Sequence, residues 1–199
     1  GINPPNRDTL YIEVIRVKVT RKDAESPLPV AVELPAPPAK KIELPAWAWA
    51  LLCVALPLLL GTAMELLTAG AAEKLLASIR LPPLFPPRLA LQAAWLGHYV
   101  LMGIASYLVL KCDCAPLRRR RALAAYAAQL AAGAAFVVVF FLAQAFLVAV
   151  GLALLFMAAI AITMDLFSRC YEAAGKLLVP CLLWASFLSY LSIGVALLN

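Results

Sequence analysis

From Ala46 onward the chain alternates long apolar runs with short polar breaks, and the runs have the length of membrane spans. A helix rising 1.5 Å per residue needs about 20 apolar residues to cross a hydrocarbon core of about 30 Å. Residues 46–69 supply the first run, with Trp47 and Trp49 suited to a membrane interface and Pro57 to a kink. Leu89 to Leu110, framed by Arg88 and Lys111, supplies the second. Ala122 to Met164 carries no charge over 43 residues. As one helix it would run about 65 Å, roughly twice the core, so it divides into spans at 122–141 and 144–166 with a turn near Leu142–Gln144. Residues 177–198 supply the fifth. The pattern predicts an all-α integral membrane protein, a bundle of five transmembrane helices occupying residues 46–199.

The first 45 residues follow another rule, holding 13 of the charged side chains and eight of the 15 prolines. Between Thr9 and Thr20, Leu10, Ile12, Val14, Val17 and Val19 lie near a period of two, which predicts one β-strand over 9–20. A lone strand cannot bury its apolar face, so this one needs a partner. The prolines of residues 26–45 remove amide donors and favour extended geometry, so residues 1–45 are expected to be a flexible, polar, Pro-rich tail. No charged segment followed by a short apolar stretch and a cleavage site opens the chain, and no signal peptide is expected.

Composition narrows the class. With 64% hydrophobic and 14% charged residues and a mean hydropathy of +0.90, the chain lacks the polar surface of a soluble monomer. Its net charge of +6 does not point to nucleic acid, because the basic residues of the apolar part concentrate in one short loop. Lys111 and Arg118, Arg119, Arg120 and Arg121 lie within a few residues of two spans, so this cluster is expected on the cytoplasmic side. With five spans the amino terminus shares that side, and a bacterial cytoplasmic membrane is the expected location.

Candidate chemistry is sparse. Cys53 and Cys181 sit in apolar runs, where a thiol behaves as a small hydrophobe. Cys112 and Cys114 form C-D-C at a helix end, but two thiolates cannot complete a tetrahedral site, so no metal is expected. Glu65 and Asp165 lie within a turn or two of helix ends and form no acid/base pair by spacing. No nucleophile elbow, phosphate loop or HExxH occurs. Gln129 is expected to join helices by a hydrogen bond. His98, the single histidine, stands three residues from Trp95 on one helix face, where it would pack between helices, ligate haem iron or bond a porphyrin carboxylate.

Four strings in order carry a resemblance. The first loop reads SIRLPPLFPPRLALQAAW, then come WLGHYVLMGIASYLV from Trp95, YAAQL at 126–130, and LLVPCLLWASFLSYL from Leu177. Together they resemble the TspO/MBR family of tryptophan-rich sensory proteins, related to the mitochondrial translocator protein, over about residues 47–199. The resemblance implies a five-helix bundle, often dimeric, with a pocket under the first loop for flat hydrophobic ligands such as porphyrins, sterols or benzodiazepine-type drugs. It implies roles in tetrapyrrole sensing or transport and, for some members, light-dependent porphyrin breakdown. No cofactor is required, and a porphyrin or haem is the expected ligand. The expected class is therefore a non-enzymatic binding protein in the lipid bilayer. The alternatives are an enzyme acting on the tetrapyrrole and a membrane anchor for a partner of the tail.

Carried over by position, the resemblance puts Trp95, His98, Tyr99, Trp184, Leu188 and Leu191 around the ligand, with Pro82, Pro83, Phe85, Pro86 and Pro87 forming a lid. Pro180, four residues before Trp184, is expected to free a carbonyl and bend the last helix inward. The Ala-rich third span presents Ala128, Ala131, Ala132 and Ala135 as the seam of a homodimer. Departures from the family pattern include Leu75–Leu76 for Trp-Tyr, Leu81 for Lys, Cys181 for Tyr, Leu188 for Ala and Ser192 for Asn. They predict a smaller, more aliphatic pocket.

Overall fold

A computed structural model describes residues 45–199. The strand expected over 9–20 and the spacer after it lie outside the described residues. Among the described residues every regular element is helical, and five helical stretches are long and apolar enough to span a membrane. They are α1 (Ala46–Ser78), α2 (Arg88–Lys111), α3 (Pro116–Val138, prolonged by a π-helical turn Val139–Ala143), α4 (Phe146–Ser168), and a short α5 (Glu172–Lys176) leading into α6 (Val179–Leu198). The most extensive packing joins α3 to α4, α4 to α6, and α1 to α2.

Helix boundaries depart from the expected spans where no breaker intervenes. α1 runs to Ser78 rather than 69, because the residues after Thr68 include no proline and the two charges in that stretch, Glu73 and Lys74, stay exposed. Its 33 residues measure about 50 Å, longer than the hydrocarbon core, so its last turns reach beyond it. α3 starts at Pro116 rather than 122, a residue suited to a first helical turn, so the arginine run belongs to the helix start rather than to a loop. The α3–α4 connection does turn at Gln144, which caps the π-helical turn in the left-handed conformation at φ 52°. Pro180 sits in the first turn of α6, where its missing N–H was unpaired in any case. It follows directly on the break at Leu177–Leu178 that separates α5 from α6.

The interior is mainly apolar but admits several polar side chains, while large apolar side chains cover much of the outside. Gln129, His98, Ser106, Thr163, Ser189 and Ser192 are buried, while Leu59, Leu66, Leu147 and Leu197 are at least 70% exposed. In water that surface would be an aggregation hazard, whereas in lipid it is the solvated face. The buried hydroxyls return their protons to their own helices: Thr163 Oγ1 donates to Ala159 O, Ser189 Oγ to Ala185 O and Ser192 Oγ to Leu188 O, at 2.8–2.9 Å. Gln129 Nε2 donates to Met102 Sδ at 3.4 Å, which joins α3 to α2. α1 and α2 cross closely at Gly103, where a Cβ would stand 2.6 Å from Val54 Cα.

The α1–α2 loop is tied to the carboxyl-terminal end. Phe85 N–H donates to Pro82 O at 3.3 Å, closing a turn with Pro83 at its second position and Leu84 at its third, in the left-handed region at φ 64°. Tyr190 Oη donates to Pro83 O at 3.0 Å, and Arg80 exchanges backbone bonds with the Asn199 side chain at 2.9 and 3.0 Å. Pro82 packs on Gly194, where an added Cβ would come within 2.5 Å of the ring.

Candidate ligand-binding site

An aromatic cluster occupies the middle of the bundle. Trp95 stacks on Tyr99, one turn along α2, with centroids 5.7 Å apart and planes at 26°, and on Phe156 of α4 at 6.3 Å and 28°. His98 meets Trp95 edge-on at 5.7 Å, and Trp184 of α6 does so at 6.0 Å. Three helices thus converge on one indole. Edge-to-face and offset contacts of this kind add about 0.5–1.5 kcal/mol each beyond area burial.

Two cavities adjoin the cluster. One, of about 330 Å³, lies between α1 and α2, with Met64, Thr68 and Leu76 facing Leu91, Trp95 and Tyr99. Its charged and amide residues are Glu65, Glu73, Arg88 and Gln92, and Gln92 Nε2 donates to Glu65 Oε1. The other, of about 400 Å³, lies between α2 and α6 and is lined by His98, Leu101, Pro180, Cys181, Trp184 and Phe187 among others. Both ring nitrogens of His98 and the Trp184 Nε1 are buried without hydrogen-bond partners among the described residues. An unpaired polar atom in such surroundings costs about 1–3 kcal/mol, so these nitrogens hold unused hydrogen-bonding capacity.

The expected site residues divide. Trp95, His98, Tyr99 and Trp184 come together, but Trp95 and Tyr99 line the first cavity while His98 and Trp184 line the second. Leu188 and Leu191 are 6% and 3% exposed and line neither. The loop prolines and Phe85 line neither cavity, and Pro82 and Pro83 contact α6 instead. Ala128, Ala131 and Ala135 are exposed on α3, with Ala132 half-buried beside them. The structure adds Phe156 and the second half of α1, which sequence reasoning did not place at the site. The signal was present in Glu65 and Gln92, two polar residues inside apolar runs that prove to be partners.

A second cluster forms at the end of the bundle that carries the arginine run. Cys170, in the turn between α4 and α5, joins Cys112 and Cys114 of the α2–α3 loop. Arg119 Nη2 donates to Cys112 O at 2.7 Å and Arg118 Nη1 to Arg169 O at 3.2 Å, so two guanidinium groups brace these loops. Arg120 and Arg121 are exposed. Burial and neighbouring Cys114 push the Cys170 thiol up to about 11, and burial likewise raises Cys112. Burial also acts to raise Cys114, but hydrogen bonds with Cys112, Cys170 and Arg119 outweigh it and hold this thiol below its ordinary value.

Taken together, five membrane-length helices around an aromatic cluster flanked by cavities define a helical integral membrane protein. The chain matches the TspO/MBR family over residues 53–198 and belongs to it. It is 30% identical to the tryptophan-rich protein TspO of Chlorobaculum tepidum over 148 residues, covering 74% of this chain and 94% of that protein. It is 35% identical to translocator protein 2 of Canis lupus familiaris over 133 residues, covering 66% of this chain and 77% of that protein. With the tryptophan-rich sensory protein of Cereibacter sphaeroides it shares 33% identity over 114 residues, covering 57% of this chain and 70% of that protein.

Proposed function

We propose that this TspO-family protein binds a flat hydrophobic ligand of the porphyrin or tetrapyrrole class at the Trp95–Trp184 pair, for sensing or transport. The observation that carries this reading is the edge-to-face contact of the two indoles, one lining each cavity, beside the unpartnered nitrogens of His98 and Trp184. Indole faces stack on a macrocycle, the nitrogens meet its polar atoms, and Arg88 at the first cavity supplies a cation for a ligand carboxylate. At about 330 Å³ the first cavity is near the small end of ligand sites, so a whole macrocycle needs both cavities and a displaced Trp184.

In the same reading the arginine-rich end faces the cytoplasm, and the exposed Ala128, Ala131 and Ala135 pack against a second copy. Titration of the purified protein with protoporphyrin IX, followed by tryptophan fluorescence, tests the ligand. Saturable quenching that is lost in the double variant Trp95→Phe, Trp184→Phe supports it. Absent quenching, or quenching unchanged in that variant, overturns it.

A further inference from the structure

We propose that Cys112, Cys114 and Cys170 form a three-thiolate site for a thiophilic divalent cation of the Zn²⁺ type, which staples the α2–α3 loop to the turn between α4 and α5. The three sulfurs lie within 4.8 Å of one another, all half-buried. Zn–S bonds of about 2.3 Å put sulfurs roughly 3.8–4.0 Å apart, so small side-chain rotations bring the cluster onto an ion. The backbone is already set for this. Cys112 caps α2 through its N–H to Leu108 O at 3.0 Å. Cys170 is fixed by its own N–H to Phe167 O at 3.0 Å, next to Tyr171 N–H on the same carbonyl at 2.8 Å. Cys114 lies in the α2–α3 loop and is half-exposed, open to an arriving ion.

Charge favours occupancy by thiolates. Binding replaces three S–H bonds with three S–metal bonds and releases three protons to solvent, so a divalent ion leaves the site with one net negative charge. Arg118 and Arg119, held on the carbonyls of Arg169 and Cys112, stand against that charge. Arg119 Nε is buried and without a partner among the described residues, a donor suited to a coordinated sulfur. Three protein ligands leave one position of a tetrahedral ion for water.

The protein purified in mild detergent, reduced and freed of metal, is titrated with Co²⁺ as a spectroscopic probe and then with Zn²⁺. The expected result is one Co²⁺ per chain with thiolate-to-metal charge-transfer absorption, displaced by Zn²⁺. Cys114→Ser and Cys170→Ser are each expected to weaken binding by roughly tenfold or more, since even outer-shell changes cost about 10–100-fold. Cys53→Ser leaves it unchanged. As a second measurement, Zn²⁺ raises the thermal midpoint of the natural chain and not of Cys170→Ala, compared at matched apo-protein midpoints. An absent charge-transfer band, a band that survives Cys170→Ser, or a disulfide joining Cys170 to either loop cysteine in protein purified under nitrogen overturns the proposal.

Discussion

The indoles of Trp95 and Trp184 meet edge to face, with centroids 6.0 Å apart and planes at 83°. Trp184→Ala removes the α6 half of this contact and opens space beside His98. In an aqueous core such a truncation costs about 3–5 kcal/mol. Trp184 is only half-buried and lipid solvates its outer side, so about 1–3 kcal/mol is expected here, read as a lower midpoint in mixed-detergent unfolding. Trp184→Phe keeps an aromatic edge and should lose less than half as much. Equal losses for the two variants would show that the edge contact contributes nothing.

Gly103 lets α2 lie directly on the α1 backbone, since any Cβ would meet Val54 Cα at 2.6 Å and Cys53 O at 2.9 Å. Backbone cannot rotate away as a side chain does, so Gly103→Ala must push the helices apart. The expected cost is about 1–3 kcal/mol, as for overpacking elsewhere. Gly97, with open space around it, accepts Ala without loss. Unfolding midpoints of the two variants side by side check this.

Tyr190→Phe removes the hydroxyl that donates to Pro83 O and leaves the ring in place. A loss of about 0.5–1.5 kcal/mol is expected, confined to the anchoring of the loop. Amide hydrogen exchange should quicken over residues 79–87 and at the Asn199 end while the exchange of α3 and α4 stays the same. Uniformly faster exchange would count against a local anchor.

The three clustered thiols should differ in the pH at which they alkylate. The thiolate is the reactive form, so a group held below its ordinary pKa reacts at lower pH and a raised one needs higher pH. Cys114 is therefore modified first as pH rises, and Cys170, at about 11, later. Iodoacetamide labelling of the reduced, metal-free protein across pH 6–10, read by peptide mass spectrometry, gives the order directly. Cys170 reacting ahead of Cys114 would refute it.

The family resemblance brought Trp95, Tyr99 and Trp184 to the site, and spacing along one helix added that His98 shares a face with Trp95. Sequence reasoning missed Phe156, Glu65 and Cys170, whose partners lie on other elements. Pro180 shows a related limit, because its place in the first turn of α6, just after the break from α5, was not legible in an unbroken apolar run. Two thiols in C-D-C looked like an incomplete site for a similar reason, as the third comes from a distant turn.

By itself the sequence determined that residues 45–199 hold five membrane-length spans, because the number of consecutive apolar residues is compared with a fixed hydrocarbon thickness, although several helices run past the expected ends. It also marked the α1–α2 break, through the loop prolines, and the α3–α4 turn near Gln144. It did not determine which face of each helix turns inward. In water a polar stripe marks the outside, but here lipid accepts Leu on every face and the periodic signal fades. The tertiary structure decided that question by close packing at Gly103, by hydroxyls bonded back to their own helices, and by the convergence of α2, α4 and α6 on Trp95.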